Sequence, residues 1–135
     1  MRRAGLIALL ALLGCARSPV YVTAHGLEVF DDGGAVPTRI ELEAETARVL
    51  ALYAERVPPE LWRAAALDGV ALRVVDAPFR VGGDLLGGVY SPAIGIQIWL
   101  DGRPLDDTPL AHEIGHVLVQ CCARSGAVSK EYGVP

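Results

Sequence analysis

The chain has 135 residues, of which 52% are apolar, and a net charge of −4; that length suits one domain with an ample core and not two. Acidic residues outnumber basic ones, Lys130 is the sole lysine, and no Lys/Arg cluster occurs. Nucleic-acid binding is disfavoured on that ground, because phosphate contacts need concentrated positive charge.

Met1-Arg2-Arg3 forms a short positive region, followed by the apolar run of residues 4–13. The run is too short to cross a bilayer comfortably, which predicts a signal peptide rather than a transmembrane helix. It ends in Leu12-Leu13-Gly14-Cys15, which resembles the lipobox of bacterial lipoproteins. The resemblance implies that residues 1–14 are a lipoprotein signal peptide and that Cys15 is diacylated and becomes the new N-terminus. It also implies a domain in the cell envelope, lipid-anchored to a bacterial membrane. Ala16 follows the cysteine, so the Asp of the inner-membrane retention pattern is missing, which points to the outer membrane or cell surface. An ordinary secretory signal with an incidental cysteine is the alternative, and either reading exports the domain. Without Arg2 and Arg3 the net charge would be about −6.

Residues 15–37 read as a tether leading into a first strand. Val20–Thr23 and Leu27–Phe30 are β-prone, and Asp31-Asp32-Gly33-Gly34 is a turn. His25 lies between the two runs, either as an exposed loop histidine or as a remote metal ligand.

Residues 38–135 form the body. Thr38-Arg39-Ile40-Glu41 matches a capping box, so a helix starts at Thr38 and runs to about Arg56, before Pro58-Pro59. Ile40, Ala44, Ala47, Leu50 or Ala51, and Ala54 recur at helical spacing as its expected buried face; Glu41, Glu43, Glu45, Arg48 and Glu55 are its expected solvated face. Pro59–Leu67 suggests a second short helix closed by Asp68-Gly69. Val70–Val75 reads as a strand, and residues 81–88 as a glycine-rich connection that lacks the Gly-Lys-Ser/Thr of a phosphate-binding loop. Gly88-Val89-Tyr90 opens a short strand and Ser91-Pro92 turns it. Ile94–Leu100 alternates, with Ile94, Ile96, Ile98 and Leu100 on one face and Gly95, Gln97 and Trp99 on the other.

The chemistry lies in Leu110-Ala111-His112-Glu113-Ile114-Gly115-His116-Val117-Leu118. Thr108 is the expected N-cap and Pro109 the first helical residue, with Asp106 and Asp107 complementing the positive helix end; the helix is expected to reach Cys122. Residues four apart lie about 40° from each other around a helix axis, so His112 and His116 can aim two imidazoles at one zinc ion. Glu113, about a quarter turn away, can reach a water beside the metal and take its proton. The apolar neighbours Leu110, Ile114, Val117 and Leu118 place this polar trio in a core or cleft, where it is costly unless each member has a partner.

This stretch resembles the active-site helix of zincin metallopeptidases, and the order helix, strand, glycine-rich loop, strand and motif helix resembles their N-terminal half. The implied fold is a small α+β domain with the N-terminal helix packed on a short twisted mixed sheet and the motif helix beneath it. The resemblance implies a zinc cofactor, His112 and His116 as ligands, Glu113 as general base, and a peptide or protein substrate. In zincins the strand just before the motif helix is the sheet edge that holds extended substrate, a role that falls by position on Ile94–Leu100 and hence on Gly95, Gln97 and Trp99.

The family also needs a third protein ligand, and here the chain departs from it. Val119 stands where metzincins have glycine, and Cys122 where they have the third histidine. Gluzincins take a glutamate from a later helix, and Glu131 is the sole carboxylate after His116. Glu131 is therefore preferred, with Ser125-Gly126 turning the chain and a short helical Ser129–Tyr132 returning over the metal. Cys122, His25, a partner-supplied ligand and the absence of metal are the alternatives. Tyr132 is a candidate oxyanion stabiliser through its place beside Glu131. Cys121 and Cys122 can bond to each other only through a strained ring, and burial as small apolar side chains is the competing reading. Two functions follow from these residues: a membrane-tethered zinc peptidase, or a zincin-like lipoprotein that binds a metal or a protein without catalysis.

Overall fold

The structure, a computed structural model, describes residues 17–120 and 123–135. The predicted signal peptide, the lipid-bearing Cys15, and Cys121 and Cys122 lie outside the described residues. No described helix is long and apolar enough to cross a membrane.

The chain forms a mixed α+β domain. Strand β1 (Tyr21–Val22) turns into β2 (Glu28–Asp32), and helix α1 (Arg39–Arg56) follows. The capping box is formed: Glu41 N–H donates to Thr38 Oγ1, and Thr38 N–H donates to the Glu41 carboxylate. Two 3-10 turns, Pro59–Leu61 and Ala64–Leu67, replace the short helix expected there. Strand β3 (Ala71–Val75) is followed by a hairpin, β4 (Phe79–Val81) and β5 (Asp84–Leu86), which occupies much of the stretch expected as a loop. Strands β6 (Gly88–Ser91) and β7 (Gly95–Trp99), helix α2 (Leu110–Leu118) and helix α3 (Ala123–Tyr132) complete the order.

The main sheet runs β1-β2-β3-β7-β6. Its centre is parallel (β2 with β3, β3 with β7) and both outer pairings are antiparallel. Val29, Leu72, Val74, Ile96 and Ile98 are fully buried on one face, in a single core with Leu42, Val49 and Tyr53 of α1 and Leu110, Ile114 and Leu118 of α2. The alternation read in β7 is therefore real, except that Ile94 lies outside the strand and is exposed.

Two expectations are corrected. Helix α1 buries Leu42, Glu45, Thr46, Val49 and Tyr53, whereas Ile40 is 80% exposed. The core takes the stripe with the bulkier side chains over the alanine-rich one, because burial stabilises in proportion to apolar area. Glu45 is tolerated on that stripe because Arg48 forms a two-pronged ion pair with it. The second correction concerns the sheet edge. β7 is hydrogen-bonded on both sides, by β3 and β6, so Gly95, Gln97 and Trp99 do not form an edge. Their side of β7 is also opposite Ile96 and Ile98, which pack into the core shared with the motif helix. The hairpin through Ser91–Gly95 folds β6 outside β7, and β6 is the edge strand beside α2.

Candidate metal centre

Helix α2 starts one residue later than predicted. Pro109 sits at the cap, after the 3-10 turn Leu105–Asp107, and Thr108 Oγ1 accepts from Leu110 N–H at 3.4 Å while donating to Leu105 O. The helix also ends early, at Leu118. Gln120 adopts φ 55°, a left-handed conformation that stops the helix and turns the chain into α3. Inside the motif, a Cβ on Gly115 would lie 2.6 Å from Tyr53 Oη and 2.9 Å from Pro135 O. The absence of a side chain there lets α1 and the last residues pack directly on the motif helix.

The motif side chains converge as their spacing requires. His112 Nε2 and His116 Nε2 are 3.0 Å apart, with the rings edge to face. One ligand atom from each of His112, Glu113 and His116 lies within 4.8 Å of the others, so the trio can hold a metal ion. The donor set suits one: two imidazole nitrogens 3.0 Å apart leave room for a shared cation bound at about 2.0–2.1 Å from each. His112 is exposed, His116 half-buried and Glu113 buried.

Glu113 is the most perturbed member. Its Oε2 is buried without a hydrogen-bond partner among the described residues, and desolvation raises its pKa from 4.5 to about 7. Gly88 of β6 presses against it, since a Cβ there would lie 3.1 Å from Glu113 Cγ and 3.3 Å from Oε1. His116 is pushed down, first by burial and then by His112, which keeps its ring neutral and available as a ligand. Tyr90 of β6 stacks on His116 with centroids 6.4 Å apart, and the buried Ser125 hydroxyl meets Nδ1 of His116 from the other element, α3.

His112, Glu113 and His116 line a cleft of about 390 Å³, walled by Leu86, Gly88, Val89, Tyr90 and Pro109. A larger concavity of about 560 Å³ lies between α1 and residues 100–106. Its buried carboxylate, Glu45, is already paired with Arg48, so it offers less chemistry than the smaller cleft with the unpartnered Glu113 oxygen.

The third ligand is not assembled as expected. The turn comes at Val119–Gln120 rather than Ser125-Gly126, and α3 runs unbroken through both of those residues. Its first turn, with Ser125, is therefore the part that reaches His116. Glu131 stands about 9 Å further along the helix axis, exposed, and is not part of the ligand group found among the described residues. Tyr132 does not line the cleft; the phenol that does is Tyr90. His25 is exposed in the β1–β2 turn, at the opposite edge of the sheet. Sequence reasoning missed Ser125, Tyr90 and Leu86. Only Ser125 left a trace, as a small hydroxyl residue shortly after the motif.

No family model, no curated protein and no solved structure matches the chain.

Proposed function

We propose that the chain is a small zinc-dependent metallopeptidase of zincin-like type, exported and held at a bacterial cell envelope by lipid on Cys15. The observation that carries this reading is the meeting of two imidazole nitrogens with a buried, unpartnered carboxylate in an open cleft. A zinc ion held by His112 and His116 would supply Lewis acidity for the scissile carbonyl and acidify a water.

Glu113 then does the proton work. As the buried carboxylate beside the two imidazoles, it would take a proton from the attacking water and release it to the leaving amine. The free backbone edge of β6 can take an extended peptide by strand addition, beside the motif helix. Leu86, Val89, Tyr90 and Pro109 make the cleft wall apolar, which favours a large apolar side chain next to the scissile bond.

A second reading has its own observation. Glu113 serves as either base or ligand, and no further carboxylate, cysteine or histidine joins the trio among the described residues. A non-catalytic zincin-like lipoprotein that binds a metal or a protein partner fits that donor set. The discriminating experiment is zinc-loaded protein against a mixed peptide library, with Glu113→Gln as comparison. Cleavage lost in the variant, with zinc retained, is the expected result. Bound zinc without cleavage of any peptide supports the binding reading instead.

A further inference from the structure

Ser125 is buried in the first turn of α3, and its Oγ lies 2.5 Å from Nδ1 of His116. A neutral imidazole carries one proton on two nitrogens, and a serine hydroxyl can rotate to accept or to donate. A proton on Nδ1 leaves a lone pair on Nε2, and Nε2 is the atom that faces His112 across 3.0 Å. Tyr90 lies on the β6 side of the ring, within 15° of parallel and with centroids 6.4 Å apart.

We propose that Ser125 is a positioning residue of the metal centre. Its Oγ accepts the Nδ1–H of His116, which selects the tautomer whose Nε2 can bind a divalent cation such as zinc, and which couples the docking of α3 to metal binding. This rests on the reading of His112 and His116 as metal ligands. It assigns α3 a role other than delivery of Glu131: the helix supports a ligand from behind. Partners of this kind orient ligating histidines and raise their basicity, and their loss costs about 10–100-fold in metal affinity. The coupling is reciprocal: a cation that prefers the docked helix stabilises that helix by the same factor.

Ser129 gives a control on the same helix. Its hydroxyl donates to Val134 O and does not touch the histidines. Zinc affinity is measured by competition with a chromophoric chelator for the wild type, Ser125→Ala, Ser125→Thr and Ser129→Ala. Ser125→Ala is expected to bind zinc about 10–100-fold more weakly, Ser125→Thr to recover most of the loss, and Ser129→Ala to bind as the wild type does. Nitrogen-15 NMR of the zinc-loaded wild type is expected to show a slowly exchanging proton on His116 Nδ1, a readout that survives if Ser125→Ala fails to fold. Wild-type affinity in Ser125→Ala, an equal loss in Ser129→Ala, or an unprotonated Nδ1 overturns the proposal while leaving the metal site intact. A wild type that takes up no zinc overturns the ligand reading itself, and this proposal with it.

Discussion

Glu113→Gln in the metal-free protein tests the buried carboxylate most sharply. Desolvation raises Glu113 from 4.5 to about 7, so the folded state holds its proton more tightly than the unfolded chain does. The sign follows directly. The stability tied to the neutral form is complete below pH 4.5 and is lost as pH rises through 7. The full move corresponds to about 3 kcal/mol, and solvent relaxation on the open side of the cleft reduces it to about 2 kcal/mol. Glutamine keeps the shape and never ionises. Urea or thermal unfolding of both proteins, stripped of metal, should therefore diverge between pH 5 and pH 8, with the variant more stable at the upper end. For a domain of this size about 2 kcal/mol moves the midpoint by about 5–15 °C. His116, whose pKa is lowered by burial and by His112, acts in the opposite direction and loses stability towards acid, but both proteins carry it and it largely cancels in the difference. Parallel stability curves across that pH range would show that the carboxylate is hydrated or paired in the folded protein.

Three further outcomes follow from the packing. Gly115→Ala should destabilise the fold by about 1–3 kcal/mol despite alanine's better helix propensity, because its Cβ meets Tyr53 Oη and Pro135 O; Tyr53→Phe in the same chain should recover part of the loss in a thermal melt. Leu42→Ala should cost about 2–4 kcal/mol and Ile40→Ala less than about 0.5 kcal/mol, since the first is fully buried and the second 80% exposed; equal costs in urea unfolding would contradict the observed face of α1. Leu86→Ser should raise KM for peptides with a large apolar residue beside the cleaved bond, by about 10-fold, with zinc content unchanged; an unaltered library profile would remove Leu86 from the substrate wall.

Local signals in the sequence were the ones that could be read from it. The capping box at Thr38 and Glu41, the alternation of Ile96, Ile98 and Leu100, and the four-residue spacing of His112 and His116 each depend on near neighbours, and each has its counterpart in the structure. Features set by distant contacts could not be read in the same way. The alanines of α1 share helical spacing with the bulkier Leu42, Val49 and Tyr53, and only the packed sheet decides which stripe is buried. The identity of the edge strand depends on β6 folding outside β7, which the order of strands along the chain does not state. Ser125 reaches His116 because Gln120 turns left-handed and ends α2 four residues before the expected Cys122, and nothing in a glutamine announces that conformation. The specific part of the zincin resemblance is the motif, and Glu131 followed from the gluzincin pattern of a later glutamate, with no local signal to place it against the histidines.

Metal analysis of the purified chain decides whether His112, Glu113 and His116 form a metal centre. One zinc per chain is expected, retained on dialysis at neutral pH, with His112→Ala and His116→Ala each losing it while keeping a folded far-ultraviolet circular dichroism spectrum. A chain that folds, takes up no stoichiometric zinc or other divalent metal, and is unaffected by chelator would contradict both the peptidase and the metal-binding reading.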